Sequence, residues 1–137
     1  MKKTKLMKIS AEFSYETITG LFVTALEGGS NYWYYLNDED VEKIRLLFKK
    51  GSSLSLAEKI TIAVLEKGYT VRVTDAESED DLGIISKDGI REGFALMLKA
   101  GGSAQKEAIS RIICDAYDAD DADVWLQMVV MKEIVYG

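Results

Sequence analysis

Two acidic runs contain the residue types most able to do chemistry. DAESEDDLG (75–83) and DADDAD (118–123) place carboxylates at close spacing, and a hard divalent cation needs such an oxygen-rich set of ligands. An EF-hand loop is excluded by its own template. Counted from Asp75, the glycine required at position 6 is Asp80 and the glutamate required at position 12 is Ser86; counted from Asp118, they are Asp123 and Val129. A looser Mg²⁺ or Mn²⁺ site, with Asp75 and Glu77 at a strand end and Asp120 and Asp123 at a helix start, would support a hydrolase or nuclease. The simpler reading makes Asp118, Asp120, Asp121 and Asp123 caps and solvated charges that complement a helix dipole.

Other reaction classes lack their parts. The chain has no histidine, which removes Ser-His-Asp and Cys-His catalysis and the usual zinc ligands. Its single cysteine, Cys114, falls among Ile109, Ile112, Ile113 and Ala116, where a free thiol is expected to act as a small apolar core residue. GGS, KGS and AGGS share only composition with phosphate-binding loops, because neither G-x-x-x-x-G-K-[ST] nor G-x-G-x-x-G occurs. No motif calls for a cofactor.

A different candidate is ALEGGSNYWYY (25–35), where a helical pattern stops on Gly28 and Gly29 before four consecutive aromatics. Strand alternation would put Tyr32 with Tyr34 on one face and Trp33 with Tyr35 on the other, one pair in the core and one available to a partner or ligand. The expected ligand or partner surface comprises Glu27, Gly28, Gly29, Tyr32 and Trp33 in this stretch, together with Trp125 and Gln127 of the last helix.

The elements that would position these residues can be read from periodicity. Residues 4–13 alternate apolar and polar as a half-buried strand, 31–36 are rich in strand formers, and Tyr69, Val71 and Val73 alternate toward Asp75. Helices follow Ser14, the acidic trio Asp38–Asp40, the S-x-x-E capping box at Ser55 and Glu58, Ser86 and Ser103, the last running to about Tyr117. Lys49 and Lys50 suit the negative end of the second helix. Gly93 lies on the apolar face of the fourth, where it would allow a close approach. A sixth helix, predicted from the DADDAD run through Val135, is apolar around most of its circumference, so it is either central to the core or shared with another subunit. These elements make one α+β domain, 1–137, with a small, mostly antiparallel sheet of about three strands under five or six helices.

Its 137 residues, 47% of them apolar, are enough for one core. Residues 1–74 hold 11 basic and 9 acidic side chains and residues 75–137 hold 6 and 14, so the field of the second half repels phosphate backbones and disfavours direct nucleic-acid binding. The same acidity fits an alternative in which the chain mimics nucleic acid and occupies a basic groove on a host protein. The longest apolar runs fall far short of the roughly 20 residues needed to span a bilayer. MKKTKLMKIS lacks the apolar region of a signal peptide, which places the protein in the cytoplasm.

With ALEGGSNYW in the first half, VTDAESED in the middle and DADVWLQMVVMKEIVYG at the end, the chain resembles a group of short bacterial and phage or prophage-encoded proteins of uncharacterised function. Relatives tend to show Phe-Gly before the late glutamate, where this chain has Met131 and Lys132 before Glu133. The resemblance implies an accessory or host-interaction role and marks Glu27, Gly28, Gly29, Tyr32, Trp33, Asp123, Leu126, Gln127 and Glu133 as shared positions. Glycines, aromatics and a leucine are explained by folding, whereas Glu27, Asp123, Gln127 and Glu133 need a structural task. The leading expectation is a non-enzymatic interaction protein, dimeric through its last helix or its aromatic strand.

Overall fold

A computed structural model describes residues 11–27, 32–99 and 103–137. In chain order the elements are α1 (Tyr15–Glu27), β1 (Tyr34–Leu36), α2 (Asp38–Arg45), α3 (Leu56–Lys67), β2 (Val71–Asp75), β3 (Asp81–Ile85), α4 (Lys87–Lys99), α5 (Ser103–Ile113) and α6 (Ala119–Met131). The strands form one antiparallel sheet in the order β1-β2-β3. The fold is therefore α+β with a small sheet, as the periodicity predicts, but one strand differs.

Of the strand expected at 4–13, residues 4–10 lie outside the described residues and 11–13 have no strand pairing; Phe13 instead stacks on Phe94 with centroids 3.9 Å apart. The third strand is β3, inside the run whose charge suggested a loop. Its turn is built by Asp75, whose Oδ1 accepts from the Glu77 and Ser78 amides at 2.8 and 2.9 Å, while Glu79 takes a left-handed conformation (φ 63°). Asparagine and aspartate stabilise turns in this way, so the acidic run is a hairpin signal as much as a loop signal. Gly83 (φ 145°) then lets β3 lie against the Val130 carbonyl, with which any Cβ would collide.

The caps follow their chemistry. Ser14 Oγ accepts from the Thr17 amide, Ser55 and Glu58 close a reciprocal capping box, Gly68 ends α3 in the left-handed conformation, and Ser86 Oγ accepts from Gly89 N at 2.9 Å. Three helices end early. α2 stops at Arg45, leaving Leu46 exposed and Phe48 half-buried, rather than running to Lys50. α5 stops at Ile113, so Cys114 is exposed and does not occupy the core; Asp115 (φ 55°) turns the chain away. α6 stops at Met131, with Lys132 in the left-handed conformation (φ 64°), and residues 133–137 run back along it.

α6 is the centre of the molecule. Trp125, Leu126, Met128 and Val129 are buried against α1, α4, α5 and β3, so most of its apolar circumference is consumed within the chain and the helix is central to the core. Trp125 meets Phe22 edge-on at 4.9 Å and Phe94 at 5.9 Å, contacts that stabilise beyond area burial alone. Gly93 of α4 sits directly on the α6 backbone: a Cβ there would be 3.1 Å from Val129 Cα. Among the described residues, no helix is long and apolar enough to cross a membrane.

Candidate functional site

Tyr32, Trp33, Asp123 and Gln127, among the side chains singled out in the sequence, meet where the start of α6, the approach to β1 and the 133–137 segment come together. Asp118 and Asp121 form the capping box that starts α6, and Asp121, buried, is gripped by Arg111 through two hydrogen bonds of 2.7 Å. Burial opposes ionisation of Asp121 and is the largest single influence on it, but the Arg111 hydrogen bonds, the Asp118 amide and the Arg111 charge together outweigh it, and its pKa is lowered. Two residues further along the helix, Asp123 faces the aromatics. Its Oδ1 accepts from Trp33 Nε1 at 2.6 Å; its Oδ2 accepts from Gln127 Nε2 at 2.9 Å and lies 3.2 Å from the Tyr32 hydroxyl.

Gln127 has no exposed surface and every hydrogen-bonding position filled. Oε1 accepts from the Val135 and Tyr136 amides at 2.8 and 2.9 Å, and Nε2 donates to Asp123 and to the Tyr136 carbonyl at 3.1 Å. Two donors and two lone pairs are the full capacity of a glutamine side chain. The amide thus acts as a short piece of strand backbone, holding residues 135 and 136. Tyr136 then stacks on Trp33 (5.2 Å, 15°) and donates its hydroxyl to Asp75 Oδ2. That bond, with the Ser78 and Glu77 amides, holds Asp75 down to about 2, and the same bond pushes Tyr136 up to about 12.

The two acidic runs are therefore joined, but through aromatic rings. Asp75 and Asp123 are at opposite ends of the Asp75–Tyr136–Trp33–Asp123 chain, while Glu77 and Asp120 are exposed. Among the described residues, no three Asp, Glu or Cys side chains are grouped as cation ligands. The convergence of Asp75, Glu77, Asp120 and Asp123 that the metal alternative requires is not seen among the described residues, where Asp75 and Asp123 are hydrogen-bonded to tyrosine and tryptophan instead.

The aromatic stretch also divides differently. Trp33 and Tyr34 are the buried pair and Tyr32 and Tyr35 the exposed one, because regular strand geometry starts only at Tyr34 and the turn before it rotates Trp33 inward. Burial, and then the charge on Asp123, raise the pKa of Tyr34, whose hydroxyl donates to the Ala25 carbonyl at 3.3 Å. Of the expected partner surface, Trp33, Trp125 and Gln127 are internal, and Tyr32 and Glu27 are exposed. Gly28 and Gly29 lie outside the described residues. Glu27 ends α1 and Glu133 begins the returning segment, both exposed. Sequence reasoning missed Arg111 and Tyr136. A signal for Tyr136 was its place in the EIVYG segment that closes the shared pattern, and for Arg111 its position as a basic residue between the apolar Ile109 and Ile112.

Two concavities border these residues. One, about 430 Å³, lies between Tyr32, Asp120, Asp123, Val124, Ile134 and Tyr136. The other, about 330 Å³, lies beside β1 between Leu26, Tyr34, Tyr35, Leu36 and Leu56. A larger hollow of about 580 Å³ is lined only by α2 and its cap, so it is a surface beside one helix rather than an enclosure. No family model, curated protein or solved structure matches the chain.

Proposed function

We propose that this chain is a non-enzymatic interaction protein that pairs with a second copy of itself through the outer edge of β1. The observation that carries this reading is the state of that edge. Trp33 O accepts from Ala76 N and Asn37 N donates to Arg72 O, at 2.9 Å each, so residues 33, 35 and 37 bond to β2. By alternation, the main-chain groups of Tyr34 and Leu36 point to the other side, where no strand among the described residues pairs with them. Tyr35, 58% exposed, stands beside this edge with the 330 Å³ groove next to it. An open edge flanked by an exposed aromatic favours strand addition.

Support also comes from what the carboxylates do, since Asp75, Asp121 and Asp123 are committed to hydrogen bonds that organise the fold. The mobile-element setting belongs to the same proposal and rests on the resemblance of the ALEGGSNYW and DADVWLQMVVMKEIVYG segments. Sedimentation velocity over a wide concentration range tests the pairing. A reversible dimer is expected, weakened at least about tenfold by Tyr35→Lys, since a charge at an edge opposes strand addition. A monomer at every concentration refutes pairing through β1.

A further inference from the structure

We infer that the 430 Å³ groove at the start of α6 receives an arginine side chain from a basic segment of a protein partner. The inference deepens the interaction reading and rests on it, but it uses a different surface from β1, so either can fail alone. Its lining includes the aromatic Tyr32 and Tyr136, the latter stacked on Trp33 through one face, the apolar Val124 and Ile134, and the carboxylates Asp120 and Asp123.

Charge complementarity identifies the occupant. All three groups hydrogen-bonded to Asp123, the Trp33 indole, the Tyr32 hydroxyl and the Gln127 amide, are neutral, so none of them cancels its charge. Among the described residues, the ion pairs use Arg72, Arg91, Arg111 and Lys132, and none reaches Asp120 or Asp123. Among those residues no lysine or arginine lines the groove, and the half of the chain that forms most of it is the acidic half. An exposed Asp120 and a half-buried Asp123 beside aromatic and apolar side chains match a cation carried on a hydrocarbon stem. Guanidinium fits better than ammonium: it is planar, stacks on tyrosine and forms paired hydrogen bonds to a carboxylate.

The test is ¹⁵N NMR titration of the full chain with acetyl-Gly-Arg-Gly-amide, alongside the same peptide carrying citrulline or lysine. The expected result is saturable shifts at Asp120, Val124, Gly137 and the Trp33 indole N–H, with at least about fivefold weaker binding for citrulline and for the Asp120→Asn protein. Asp120 is exposed and no hydrogen bond involves its side chain among the described residues, so this variant keeps the fold. Tyr32→Ala should weaken binding similarly by removing one aromatic ring from the lining. Equal response to citrulline, binding unaffected by Asp120→Asn, or shifts confined to other surfaces would overturn the inference. A stronger response to lysine than to arginine would overturn the guanidinium assignment. A protein that fails to dimerise yet shows the expected titration would sink the β1 reading and leave this one standing.

Discussion

At the scale of single residues, Gln127 does most to join distant parts of the chain. Truncating it leaves the Val135 and Tyr136 amides without their acceptor and Asp123 without one of its donors, and each buried polar group left unpaired costs about 1–3 kcal/mol. Gln127→Ala should therefore destabilise the protein by about 3 kcal/mol and speed hydrogen exchange at Val135 and Tyr136, read by denaturant titration and by NMR. Asp75 makes a prediction in pH. Its folded pKa, about 2, lies below the ordinary carboxylate value, so its contribution is present above about 4 and is lost as pH falls toward 2. Tyr136 is raised to about 12, so its contribution holds below about 10 and is lost as pH climbs through 12. Asp75→Asn should flatten the melting temperature between about pH 4 and pH 2. An unchanged acid limb would mean that the charge of Asp75, held by Tyr136 and the Glu77 and Ser78 amides, contributes nothing to stability.

Among the elements, the packing of α4 on α6 is set by a missing side chain. A Cβ at Gly93 would press on the Val129 and Met128 backbone at 3.1–3.2 Å, and main-chain atoms cannot rotate out of the way as a side-chain tip can. The overpacking penalty of about 1–3 kcal/mol should exceed the gain of about 1 kcal/mol from replacing a helical glycine. Gly93→Ala is thus expected to lower the melting temperature by a few degrees in calorimetry, and a rise would show that the helices can move apart freely. Although the sequence did not name α6 as the neighbour, that some element could come close here was legible in it, because a glycine on an apolar helical face gives up helix propensity and leaves a gap. So were the caps at Ser14, Ser55 and Ser86, which are local chemistry. The hairpin of β2 and β3 was not, since five acids in seven residues look solvated until Asp75 is seen folding its carboxylate onto the turn. Nor could periodicity place Cys114 or end α6, because an apolar pattern continues after the helix whose face it would extend has stopped. Asp123 and Gln127 announced themselves as polar residues on a buried helix, but their partners, Trp33 and Tyr136, lie 90 and 9 residues away, a distance that no spacing rule bridges.

For the whole molecule, interior and surface divide the work. The carboxylates that looked most chemical, Asp75, Asp121 and Asp123, tie segments together, and what is left for a partner is the edge of β1 and the aromatic groove at the start of α6. These two surfaces make separate predictions, one for mass against concentration and one for arginine peptides. The position of α6 also governs when this fold can exist during synthesis. The central helix follows every other described element in chain order, and the main-chain groups that satisfy Gln127 come after it, at residues 135 and 136. While a ribosome still shelters those residues in its exit tunnel, α1, α3 and the sheet have been made without the helix that fills the space between α1, α4, α5 and β3. A nascent chain in that condition lacks the Trp125 ring that packs on Phe22 and Phe94 and the helix that packs on β3, so the part of the core built around α6 closes only after that helix has emerged.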